Sequence, residues 1–113
     1  MTDKDKNVLE HIIMRCGRVN EDIIRFGNSY EIFISDAAFH DSVSMNILQI
    51  GELSNKLSDE FRDSTKHRIP WKQIYDMRNR FAHGYGVMDS KIIWEVATVN
   101  IPDLKDFCET CLS

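Results

Sequence analysis

Long hydrophobic runs are missing from this chain. No stretch approaches the roughly 20 apolar residues that a membrane-spanning helix requires, so no such helix is expected. Proline and glycine are scarce, at 2 and 5 of 113 residues, which excludes collagen-like and low-complexity disordered chains. Cysteine is also scarce, and its odd count of 3 argues against a disulfide framework. Cys108 and Cys111 form a C-x-x-C pair, but only Cys16 remains to help complete a zinc site. A thioredoxin-like role would need a preceding strand, and none is evident, so the thiols read as inert. His11, His40 and His67 have no ligand-like spacing, and neither a metal nor a cofactor is expected. The leading MTDKDKN is polar and mixed in charge, unlike a secretory leader. The expected location is the cytoplasm.

What is present is an ordinary globular composition, 42% hydrophobic and 28% charged. A chain of this size buries roughly two thirds of its unfolded surface, and one domain over residues 1–113 is expected. Apolar residues mostly recur at three- and four-residue steps, the signature of amphipathic helices. Leu9, Ile12, Ile13, Cys16, Val19 and Ile23 mark a helix over about residues 3–26, with Gly27 and Asn28 suited to a left-handed end. SYEIFIS, residues 29–35, alternates like a strand, but without a partner strand it is assigned a short helix or turn. Phe39, Val43, Ile47, Ile50, Leu53 and Leu57 mark a second long helix over 36–57. Gly51 in its middle costs about 1 kcal/mol relative to alanine, which a close helix–helix contact would explain. A short polar helix follows from Ser58. Pro70 fits the first turn of a helix over 70–82, where its missing N–H costs nothing. A last helix starts near Asp89 or Ser90, turns Ile92, Val96 and Val99 inward, and is kinked or restarted by Pro102. The fold class is an all-α up-and-down bundle of four to five helices.

Charge is distributed unevenly. Net charge is −4 overall, −5 over residues 1–61 and −3 over 81–113, but +4 over 62–80. That middle segment holds Arg62, Lys66, Arg68, Lys72, Arg78 and Arg80 against Asp63 and Asp76. It is either a local phosphate-attracting patch or a solvated helix face.

The same segment carries the most distinctive pattern, Arg78, four residues, His83, one residue, Tyr85. On an ideal helix Ile74, Met77 and Phe81 share a core face, Asn79 and His83 share another, and Arg78 lies about 140° from His83. Because an arginine side chain is long, Arg78 and His83 can still converge if Gly84 ends the helix and frees His83, and they can also converge across a two-fold dimer. The residue types suit RNA cleavage by its own 2′-OH. Histidine exchanges protons near neutral pH, and arginine offers a fixed planar charge where phosphorus gathers negative charge. No metal is required for this chemistry. A histidine that merely meets the carbonyl ends of its helix is the plainer alternative.

IPWKQIYDMRNRFAHGY, residues 69–85, resembles the signature region of the HepT-like toxins of the HEPN superfamily, and ILQIGELSNKLS, residues 47–58, resembles the helix before it. The likeness spans nearly the whole chain. It implies an all-α HEPN-type bundle, a homodimer with a composite cleft, and a metal-independent endoribonuclease. It also implies a cognate minimal nucleotidyltransferase antitoxin that can transfer AMP to Tyr85. By the same resemblance Arg78 stabilises phosphate, His83 moves protons, and Asn79 and Tyr85 assist. Arg80, Lys72 and Arg68 are candidate RNA contacts. A catalytically silent HEPN module that binds a nucleotide or the nucleotidyltransferase is the alternative, and a plain helical interaction protein is a third. Glu52 either pairs with Lys56 four residues on or stands behind the cleft. Trp71 and Trp94 read as core or dimer anchors rather than base-stacking platforms.

Overall fold

A computed structural model of the chain describes residues 1–84, 86 and 88–113. Four long helical segments and two short ones account for most of it. Helix α1, Asp3–Arg25, opens on a capping box: the Thr2 hydroxyl accepts from the Asp5 N–H while the Asp5 carboxylate faces the Thr2 N–H. It closes where Gly27 (φ 81°) and Asn28 (φ 52°) turn left-handed, as expected from those residue types. The alternating segment is a short helix, as expected: α2, Tyr30–Ser35, capped by the Ser29 hydroxyl. It buries Phe33 and leaves Ile32 and Ile34 exposed, so the alternation there is not a sheet face. Asp36 caps α3, Ala37–Ser54. Its end falls three residues short of the expected Leu57, which is buried in the following turn. Ser58 then caps α4, Asp59–Thr65.

Pro70 stands just before α5, Trp71–Gly84, and its carbonyl accepts the Ile74 N–H. The last helix begins as α6, Ser90–Glu95, widens over Val96–Asn100, and resumes as α7, Ile101–Leu112. The Ile101 N–H reaches back five residues to the Val96 carbonyl. That wide turn precedes Pro102, whose ring would crowd an ordinary helical turn. The extra residue shifts the buried stripe to Ile93, Ala97, Ile101, Leu104 and Cys108. Val99, expected to face inward, is therefore 60% exposed, while Ile92, ahead of the wide turn, is 43% exposed and lines the groove beside α5.

One core unites Leu9, Ile12, Cys16 and Val19 of α1 with Phe33, Phe39, Val43, Ile50 and the α6–α7 stripe. Cys16 and Cys108 lie inside it, unbridged. Burial pushes the Cys16 thiol up to about 12 and Cys108 higher still. Trp94 packs against Phe33 at 5.1 Å and Tyr30 at 6.0 Å. Trp71 is buried, its indole N–H on the Thr65 hydroxyl at 2.8 Å. The long helices pack in the order α7, α1, α3, α5. Helix α5 thus rests chiefly on α3, and a groove of about 390 Å³ separates it from α6 and α7. Among the described residues, no helix is long and apolar enough to cross a membrane.

Three polar pairs fix α1 against its neighbours. The buried Asp5 carboxylate accepts both the N–H and the hydroxyl of Ser58 at 2.8 Å. Burial works to raise the Asp5 carboxyl, but the Ser58 and Thr2 hydrogen bonds together hold it below 3.8. Farther along, the Ser42 hydroxyl donates to Asp22, and Arg15 to the Asn46 side-chain oxygen at 3.3 Å.

Candidate active site

Helix α5 forms because Ile74, Met77 and Phe81 recur on one face and pack on the core, with Phe81 the buried one among them. Arg78 borders this face. Its stem lies on Gly51 of α3: a Cβ there would overlap Arg78 Cβ and sit 3.1 Å from Arg78 Cγ and 3.3 Å from the Ile74 carbonyl. The close contact expected from a mid-helix glycine is the contact between α3 and the arginine of the motif.

The guanidinium is held from two sides. Glu52 Oε1 lies 2.6 Å from Arg78 Nε and 2.5 Å from Nη2. The Asn79 side-chain oxygen accepts from Nη1 at 2.9 Å. The Arg78 side chain is 26% exposed and that of Glu52 38%, so the pair sits at a partly desolvated surface, where charged hydrogen bonds are stronger than in bulk water. Glu52 therefore meets Arg78 across the helix interface, not Lys56 along its own helix. Asn79 is engaged with the guanidinium, not the imidazole.

His83 is exposed and lies in the last turn of α5, which runs on through Gly84. The helix does not break early enough to release it, so Arg78 and His83 stay about 140° apart around one axis. Tyr85 lies outside the described residues.

Of the six cations in the basic segment, four are ion-paired. Arg62 meets Asp59, Lys66 meets Asp63 and Arg78 meets Glu52. Arg68 grips Asp103 of α7 through two bonds of 2.8 and 2.9 Å, its guanidinium 5.7 Å from the Phe107 ring. That leaves Lys72 and Arg80, both exposed, with no ion pair among the described residues. Arg80 lines the groove beside α6 and α7, with Asp76 and Met77 on its own helix and Ile92 and Asn100 opposite. The patch read from sequence thus narrows to Lys72, Arg80 and the donors Arg78 keeps. Among the described residues, no group of three or more His, Cys, Asp or Glu is placed to hold a metal ion.

The sequence reading left Glu52 between two roles and missed Asp5 as an anchor. A signal for Glu52 existed: it directly follows the glycine over which Arg78 crosses.

Comparison with known proteins bears on this geometry. A protein of Caldanaerobacter subterraneus subsp. tengcongensis named "Putative RNase TTE0752" is 36% identical over 98 residues, 86% of this chain and 84% of that one. "Putative RNase MJ1216" of Methanocaldococcus jannaschii is 34% identical over 87 residues, 75% of this chain and 71% of its own. "Probable ribonuclease HepT" of Thermococcus cleftensis is 29% identical over 76 residues, 67% of this chain and 68% of its own. No solved structure matches the chain. The ribonuclease HepT-like family matches residues 16–111, a span that takes in the Gly51–Arg78 crossing and the whole Arg78, His83, Tyr85 pattern, and the chain belongs to that family.

Proposed function

We propose that this protein is an endoribonuclease that cleaves RNA without a metal ion, and that it is the toxin of a toxin–antitoxin pair. The observation that carries the reading is the complete Arg78, His83, Tyr85 pattern in the sequence, with Arg78 held on α5 at a partly exposed surface, in a member of a ribonuclease family. His83 takes the proton of an RNA 2′-OH as that oxygen bonds to phosphorus. The bond to the 5′-oxygen breaks, and the departing oxygen takes up a proton. The products are a 2′,3′-cyclic phosphate and a 5′-hydroxyl. Arg78 neutralises charge gathering on the non-bridging oxygens.

Because Arg78 and His83 face different ways on one helix, the active site is composed across a homodimer, each copy supplying part of the cleft. Lys72 and Arg80 contact the RNA backbone; Arg68, already bound to Asp103, contributes less. A nucleotidyltransferase antitoxin silences the enzyme by transferring AMP to Tyr85, two residues from His83. The added phosphate and bulk would compete with RNA for Arg78.

Expression in bacteria tests this directly. Wild type is expected to arrest growth and His83→Ala to be harmless, while purified wild type cleaves RNA in the presence of a chelator. Harmless growth of both, with no cleavage, would favour the silent HEPN module. Cleavage abolished by the chelator would sink the metal-free mechanism.

A further inference from the structure

We infer that Glu52 is a positioning residue for the cleavage reaction: it acts through Arg78 and fixes which edge of the guanidinium faces the RNA. The inference rests on the ribonuclease reading above. Arginine carries five N–H donors in a rigid plane. One oxygen of Glu52 straddles Nε and Nη2, and the Asn79 oxygen takes one donor of Nη1. By count, one N–H remains on each terminal nitrogen. Two donors on adjacent nitrogens of one rigid plane can span two oxygens of a phosphate.

The stem is fixed as well, because Gly51 lets Arg78 Cβ and Cγ lie directly against α3. Three consecutive features of the structure therefore converge on one side chain: a missing Cβ under its stem, a carboxylate on one edge and an amide oxygen on the other. Without the carboxylate the guanidinium would keep its charge and lose its aim. Glu52 has a further effect on the electrostatics. It partly offsets the positive charge that draws RNA in, so its removal is expected to spare or strengthen RNA binding while slowing the chemical step. That is the opposite of what loss of an RNA-contacting residue does.

The test compares wild type with Glu52→Ala and Glu52→Gln on a single-stranded RNA substrate, with melting temperature recorded for each. Misplacing a reacting group by about 1 Å costs on the order of 100-fold in rate, so Glu52→Ala is expected to lower kcat by about that factor. KM should be unchanged or lower. Glu52→Gln, which keeps an oxygen acceptor of the same reach, should recover part of the loss. In an Arg78→Ala background, Glu52→Ala should do nothing more, because its whole effect runs through Arg78. A kcat within threefold of wild type for Glu52→Ala would overturn the inference, and so would a full further loss in the Arg78→Ala background.

A readout independent of activity separates this inference from the function itself. The Arg78 Nε–H signal in a nitrogen–proton correlation spectrum should be slow to exchange in wild type and lost in Glu52→Ala. If wild-type protein cleaves no RNA while that signal behaves as described, the ribonuclease reading fails and the positioning contact stands. If the signal is unchanged by Glu52→Ala, the positioning contact fails whatever the activity.

Discussion

At the scale of single residues, the arginine of the motif is as much a product of its neighbours as of its own chemistry. A lysine at position 78 keeps the charge but has no fork, so it cannot meet Glu52 and Asn79 and still offer two donors. Arg78→Lys is expected to cleave RNA about as poorly as Arg78→Ala, within roughly tenfold of it, since geometry rather than charge is what it loses. A rate near wild type for the lysine variant would contradict this. Asp5 gives a second residue-level prediction, this time for stability. Its carboxyl is held below 3.8 in the fold by Ser58 and Thr2 despite burial. A depressed folded pKa stabilises the native state above the unfolded value and ceases to do so as pH falls through the folded one. Acid unfolding of wild type should therefore steepen below about pH 4, and Asp5→Asn should flatten that part of the profile. Asp5→Ala leaves the Ser58 donors without their partner and should cost about 1–3 kcal/mol at neutral pH, read by denaturant melts. The three thiols provide a simpler check. Cys111 is partly exposed while Cys16 and Cys108 are buried with raised pKa values. A thiol reagent should label only Cys111 in the native protein and all three after denaturation.

Helix by helix, the crossing of α3 and α5 is where fold and chemistry meet. Replacing Gly51 with alanine gains about 1 kcal/mol of helix propensity but forces α3 and α5 apart where Arg78 Cβ now lies, an overpacking cost of about 1–3 kcal/mol. Gly51→Ala should thus change the melting temperature only modestly and reduce cleavage sharply. A variant with full activity would mean that Arg78 does not need its seat. Much of this level was legible in the sequence. The helical stripes follow from three- and four-residue spacing, and a glycine in mid-helix pointed to a close contact. Two things were not legible. Val99 was assigned inward because a regular helix puts it there, and one five-residue step before Pro102 moves the stripe by a residue; Ile92, ahead of that step, lines the groove instead. The Glu52–Arg78 and Asp5–Ser58 pairs join positions 26 and 53 residues apart. Local spacing carries no information about partners that only the packing of helices brings together, so Lys56, one turn away, was the natural candidate.

For the molecule as a whole, the acidic body and its largely neutralised basic segment set how RNA is held. If Lys72, Arg80 and Arg78 are the phosphate contacts of each copy, log Kobs should fall with log salt at a slope of about −2 per chain, since single strands give about −0.7 per contact. A much steeper slope would mean that Arg68 and its neighbours leave their carboxylates to bind RNA. The separation of Arg78 from His83 on one helix makes a second prediction at this scale. Arg78→Ala and His83→Ala proteins, each strongly impaired alone, should regain roughly a quarter of wild-type activity when unfolded and refolded together, because half of the dimers then carry one intact composite site. No recovery, with dimers confirmed by size-exclusion chromatography, would place the whole site within one chain.

The way α5 is seated has one more effect. It leans on α3 along one side, with the groove toward α6 and α7 on the other. Its backbone amides should accordingly trade hydrogen for deuterium sooner than those of α1 or α3, whose two flanks are both covered. Anything that bridges α5 to the opposite wall would slow that exchange. The reactive helix would thus be the least protected long segment of an otherwise well-packed protein, and its protection a direct gauge of occupancy.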